Sequence, residues 1–132
     1  MTRATLPPVA HPQDPRLTVR GMQTSVDDWM AQWKEGYWPP LVNLARLAEE
    51  VGELSRELNH LHGPKRKKAS ETVRDPKEAV GEELCDILFV VIAIANSEGI
   101  DLETAFRRMM DKVKIRDADR WERVPHPPQD PA

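Results

Sequence analysis

Apolar residues recur at helical intervals in four stretches of this chain, and nowhere alternate over a length that would make a useful strand. A first helix is predicted over about 22 to 35, where Val26, Trp29, Met30 and Trp33 keep i, i+3, i+4, i+7 spacing behind Thr24 and Ser25 as caps. That spacing puts Trp29 and Trp33 in the core, and the helix ends near Gly36. A second helix opens after Pro39 and Pro40, since proline suits the first helical position, and runs to about His62 with Gly63 and Pro64 as stop signals. Its apolar stripe is Leu41, Leu44, Leu47, Ala48, Val51, Leu54 and Leu58. The third helix starts at Pro76 behind Asp75 and ends at SEGI. The fourth starts with Asp101 as cap and shows Leu102, Ala105, Phe106, Met109 and Val113 on one face. The pattern predicts an all-α four-helix bundle.

The connection GPKRKKASETVRD reads as a flexible loop, with its KRKK (65–68) a solvated charge run. Prolines crowd both ends, so 1–21 and 122–132 read as tails around one domain at 22–121. The third helix constrains the assembly most, because ILFVVIAIA (87–95) is nine apolar residues without a break. A helix apolar on every side must be buried on every side, and packing against a second copy accomplishes this most simply. A dimer or a dimer of dimers is expected.

At 132 residues, 39% hydrophobic and 31% charged, the chain has the composition of one ordinary globular domain. No run approaches the roughly 20 apolar residues of a membrane span, and the first residues carry no apolar signal core, so a cytoplasmic protein is expected. A net charge of −3 gives no reason to expect a nucleic acid polymer or a membrane as partner. The lone Cys85 sits among apolar residues and reads as a small buried side chain.

Glu49, Glu50 and Glu53 fall within about 100° of arc on the second helix, with Arg46 and Arg56 near enough to soften their repulsion. Alone, this is an ordinary wet face. The third helix adds Glu83 and Asp86 at i, i+3 beside the apolar run, and from Glu78 to Phe106 there are seven acids and no Lys, Arg or His. Two carboxylates about 5 Å apart repel by about 3 kcal/mol at an effective dielectric near 20, so a cluster drawn from both helices needs a counter-charge. An all-carboxylate set suits a hard cation, Mg²⁺ or Mn²⁺, rather than Zn²⁺. A di-iron bundle would want two Glu-x-x-His pairs, whereas only Glu57 to His60 has that spacing; His60 and His62 read as solvated residues near a helix end. Gly52 and Gly81, inside helices, suggest close helix approach near the acids.

EEVGEL on one helix and EELCDILF on the next, with KVKIR on the fourth, resemble the MazG-like nucleoside triphosphate pyrophosphohydrolases, whose pattern is ExxE followed by ExxD. WKEGYWPPL and RDADRW further resemble the short single-domain branch of YpjD type, and the likeness covers about residues 22 to 121. It implies that Glu50, Glu53, Glu83 and Asp86 bind Mg²⁺, and that Glu49 assists as an extra ligand or as the base for water. It implies hydrolysis of a nucleoside triphosphate, deoxynucleoside or non-standard, to monophosphate and pyrophosphate, as nucleotide-pool housecleaning. Lys112 and Arg116, at i, i+4, then face the triphosphate, although cations at a helix C-terminus are also favourable by themselves. Tyr37 and Trp38, at the turn after the first helix, are the candidates for contact with the base. The reading of a different class is a non-catalytic helical dimer, an adaptor docking a basic partner on its acidic face.

Overall fold

The computed structural model describes residues 17–71 and 74–124. Four helices, α1 (Val19–Met30), α2 (Pro40–His62), α3 (Pro76–Ser97) and α4 (Leu102–Arg116), make up the regular structure, and no strand occurs among the described residues. The all-α architecture is as expected. None of the helices is long and apolar enough to cross a membrane. The predicted tails lie mostly outside the described residues, and α1 begins three residues before 22.

The chain divides into two compact units, residues 1–102 and 103–132. In the first, α3 packs on both α1 and α2 and supplies most of the core through Ala79, Val90, Ile92, Ala93 and Ala95. Asp75 caps it, the carboxylate accepting from the backbone N–H groups of Lys77 at 2.7 Å and Glu78 at 3.3 Å. Its other end closes in a Schellman turn: Ile100 N donates to Ala95 O at 2.8 Å and Gly99 N to Asn96 O at 3.1 Å. Gly99 is glycine because φ there is +66°. α2 starts at Pro40 and stops at Gly63, where a Cβ would lie 2.0 Å from Asn59 Oδ1.

α1 departs from expectation. Its cap is Thr18, whose Oγ1 accepts from Gly21 N at 3.0 Å. The hydroxyls of Thr24 and Ser25 are inside the helix and donate back to the carbonyls of Arg20 and Gly21, the usual outlet for a mid-helix hydroxyl. The helix ends at Met30, so Trp33 lies beyond it, and Trp29 and Trp33 are each 51% exposed instead of core. Val26 is the residue of α1 that is buried.

Five of the seven residues of the predicted apolar stripe on α2 are uncovered: Leu41, Leu44, Ala48, Val51 and Leu58 are exposed, while Leu47 and Leu54 are half-buried. On α3, Leu84, Leu88 and Phe89 are exposed as well, and so is Cys85, contrary to the buried thiol expected. Cys85 stands with Leu84 and Leu88 on a side of α3 that is exposed among the described residues. Gly52 and Gly81 are not sites of close approach, since a Cβ on either meets nothing within 4 Å.

The 63–71 segment is tied down rather than free. Lys67 Nζ lies 2.7 Å from Glu57 on α2, and Arg56 reaches Glu71 at 2.7 Å. In the second unit, α4 carries no buried residue; Phe106 and Met109 on its predicted apolar face are exposed.

Candidate metal and nucleotide site

α2 and α3 bring their acids together. Glu50, Glu83 and Asp86 each offer a carboxylate oxygen, and the three oxygens lie within 4.8 Å of one another. Glu83 and Asp86 share a face because they are three residues apart on α3, while Glu50 enters from the facing helix. Glu50 is half-buried and its carboxylate is 3.4 Å from the Arg46 guanidinium. Glu83 and Asp86 have no ion pair among the described residues. Burial, and then the charges of Asp86, Glu53, Glu50 and Glu57, push the Glu83 carboxyl above its ordinary value. Crowded oxygens, no ion pair on Glu83 or Asp86 among the described residues and a carboxyl resisting ionisation are what a hard divalent cation would relieve, and the donor set fits one.

Glu53 is outside this triad. Its side chain is 52% exposed and lies 3.6 Å from Arg56, yet it is close enough to bear on Glu83. Glu49 is exposed. Glu57, which the sequence reading used only to weigh di-iron spacing, is buried at 6% exposure, and its bond to Lys67 holds its carboxyl below the ordinary value. The signal was there: Glu57 is seven residues from Glu50 and so returns to the same helical face. The KRKK run is therefore not uniformly solvated. His60 is half-buried rather than solvated, with Nδ1 3.2 Å from Lys65 O and a buried Nε2.

Next to the acids is an aromatic cleft of about 470 Å³, lined by Trp29, Trp33, Tyr37, Trp38, Asn43, Arg46 and Phe89 among others. Both base-contact candidates, Tyr37 and Trp38, are in its wall. Trp29 and Trp33, misassigned to the core, face it edge to face with centroids 5.5 Å apart. The Tyr37 hydroxyl is committed: it donates to Asp27 and accepts from Asn96 Nδ2 at 2.9 Å, so only its ring is free to meet a ligand. Arg46 joins the two regions, its guanidinium 4.8 Å over the Trp38 ring while also reaching Glu50. Lys112 and Arg116 belong to the second unit; both are exposed, and Arg116 is bonded to Asp117 at 2.8 Å.

The sequence profile of the MazG nucleotide pyrophosphohydrolase domain matches residues 39–121. The YpjD protein of Bacillus subtilis (strain 168) is 48% identical over 106 residues, which are 80% of this chain and 92% of that protein. The fold is similar to the crystal structure of the Bacillus-conserved MazG protein, a nucleotide pyrophosphohydrolase, with TM-score 0.64 and 46% identity over 77% of this chain and 95% of that one. It is also similar to the crystal structure of YpjD from Bacillus subtilis, with TM-score 0.63 and 47% identity over 72% of this chain and 93% of that one. These relations set aside the non-catalytic adaptor. Carrying the paired acidic half-motifs on adjacent helices, the chain belongs to the MazG nucleotide pyrophosphohydrolase family and is a pyrophosphohydrolase.

Proposed function

We propose that the protein hydrolyses deoxynucleoside or non-standard nucleoside triphosphates to the monophosphate and pyrophosphate in the cytoplasm, with Mg²⁺ or Mn²⁺, as nucleotide-pool housecleaning. The observation that carries this is the junction at Arg46 of a three-carboxylate cluster with an aromatic cleft, one end suited to a metal-bound polyphosphate and the other to a base. Glu50, Glu83 and Asp86 would hold the cation, with Glu53, whose charge bears on Glu83, as the fourth ligand. When bound, the cation supplies charge neutralisation at the phosphate oxygens. Glu49, exposed and beside Glu50, accepts the proton of the attacking water. Trp38 and the Tyr37 ring pack against the base. Lys112 and Arg116 bind substrate phosphates, a role taken from the family resemblance.

A second copy of the chain covers the exposed stripe of Leu41, Leu44, Val51 and Leu58, giving a homodimer or a dimer of dimers. The deciding experiment is a panel of standard and modified nucleoside triphosphates with Mg²⁺, with Mn²⁺ and with EDTA, read by chromatography. Monophosphate and pyrophosphate in equal amounts are expected with metal only. Background release across the panel would end this reading.

A further inference from the structure

Within the cleft, Asn43 is the buried polar side chain, 5% exposed in the first turn of α2. A buried amide has a donor end and an acceptor end, and each needs a partner. Its Nδ2 donates to the Trp38 carbonyl at 3.2 Å. That carbonyl has no other donor among the described residues, since Val42 N and Asn43 N both turn to Pro39 O. A carbonyl only accepts, so this bond fixes which way round the amide stands and leaves Oδ1 as the free end. Among the described residues no donor reaches Asn43 Oδ1. Of the other polar groups of the cleft, Tyr37 is engaged with Asp27 and Asn96, and Arg46 with Glu50 and the Trp38 ring, while Glu35 is exposed.

The position of Asn43 along α2 says what would supply the missing donor. Asn43 and Glu50 are seven residues apart, on one face and separated by about 10.5 Å of helical rise, with Arg46 between them. A nucleoside 5′-phosphate spans a length of that order from the substituent opposite its glycosidic bond to its phosphorus. With the phosphate at Glu50, position 4 of a pyrimidine or position 6 of a purine is the part of the base that reaches Asn43.

We infer that Asn43 Oδ1 selects bases with an exocyclic amine at that position, cytosine and adenine, over uracil, thymine and hypoxanthine, whose oxygen there would oppose it. The inference rests on the proposed nucleotide site and names its substrate class. An amine fills the acceptor with a hydrogen bond, whereas a ketone that displaces water from it sets two acceptors against each other, which is the kind of mismatch on which polar pockets discriminate strongly.

The test compares kcat/KM for dCTP against dUTP and for dATP against dITP, and adds the 2-pyrimidinone analogue of dCTP, which lacks the amine without gaining a ketone. A preference of about tenfold or more for each amine is expected, with the analogue falling toward dUTP. Asn43→Leu, close in size, should bring both ratios to about unity. Equal rates on wild type, a preference for the ketones, or ratios untouched in Asn43→Leu would overturn the inference. Should the variant fail to fold, the wild-type comparison with the analogue decides alone. Absence of any hydrolysis would count against the enzymatic reading instead, and the inference is then judged by tryptophan quenching with dCMP and dUMP, where tenfold tighter dCMP binding supports it and equal binding refutes it.

Discussion

Replacing Glu83 by glutamine should make the metal-free protein more stable, an unusual sign for a change in a packed helix pair. The substitution keeps the shape of the side chain and removes one of three charges whose oxygens lie within 4.8 Å of one another. At that separation and an effective dielectric near 20, each like-charged pair costs about 3.5 kcal/mol. Water around the exposed Asp86, and the guanidinium 3.4 Å from Glu50, remove most of this. A gain of about 1–2 kcal/mol is left for Glu83→Gln at pH 7. The pH dependence follows from the raised carboxyl of Glu83. Its charged form is disfavoured in the folded state, so the wild type loses stability as pH rises from the ordinary glutamate value of 4.5 upward, and below that value the two proteins should converge. Urea denaturation in EDTA reads the effect as a midpoint raised by roughly 1 M at pH 7, taking a slope of about 1.5 kcal/mol per M. Added Mg²⁺ should reverse the order, because only the wild type gains stability from a ligand that binds the folded state. Lower stability of Glu83→Gln in EDTA at pH 7 would refute the claim that these carboxylates are held together against their repulsion.

Three further outcomes are expected. Lys67→Met leaves the buried Glu57 charge without its partner and should cost about 2–3 kcal/mol at pH 7, with the loss fading in acid below 4.5, where the depressed Glu57 carboxyl of the wild type also takes up its proton; denaturation of this variant, of Glu57→Gln and of the double variant checks it, and a loss below about 0.5 kcal/mol rejects it. Glu53→Gln should abolish pyrophosphate release yet change metal-free stability by under about 0.5 kcal/mol, since its side chain is half-exposed and near Arg56; full activity in a stopped assay would remove Glu53 from the metal set. Leu44→Glu on the exposed stripe should shift the assembly to monomer by light scattering, whereas an unchanged mass would place the interface elsewhere.

The helices and the acidic centre were largely legible in the sequence, for local reasons. Pro39–Pro40, Gly63, Asp75 and Gly99 act within a turn of the position they occupy, and they mark the ends of α2 and α3. Glu83 and Asp86 share a face by spacing alone, so only the facing of α2 to α3 had to be supplied. Spacing does not say what covers a face. Trp29 and Trp33 keep a core-like interval, yet the helix stops at Met30 and their rings line a cleft. The α2 stripe is apolar by the same rule and most of it meets solvent in the single chain. The bond between Lys67 and Glu57 was out of reach because it depends on how a loop folds back, which no periodicity records.

The Tyr37 hydroxyl, enclosed and bonded to Asp27 and Asn96, keeps its proton until about pH 12. The tyrosine of the cleft therefore keeps one charge state over the whole range in which an enzyme is assayed, while Glu83 at the carboxylate end changes charge from the acid side upward. A rate profile against pH should then rise on the carboxylates alone and show no descending limb from the cleft. Affinity for the base and readiness for hydrolysis become separable variables, one set by temperature and solvent, the other by protons and metal.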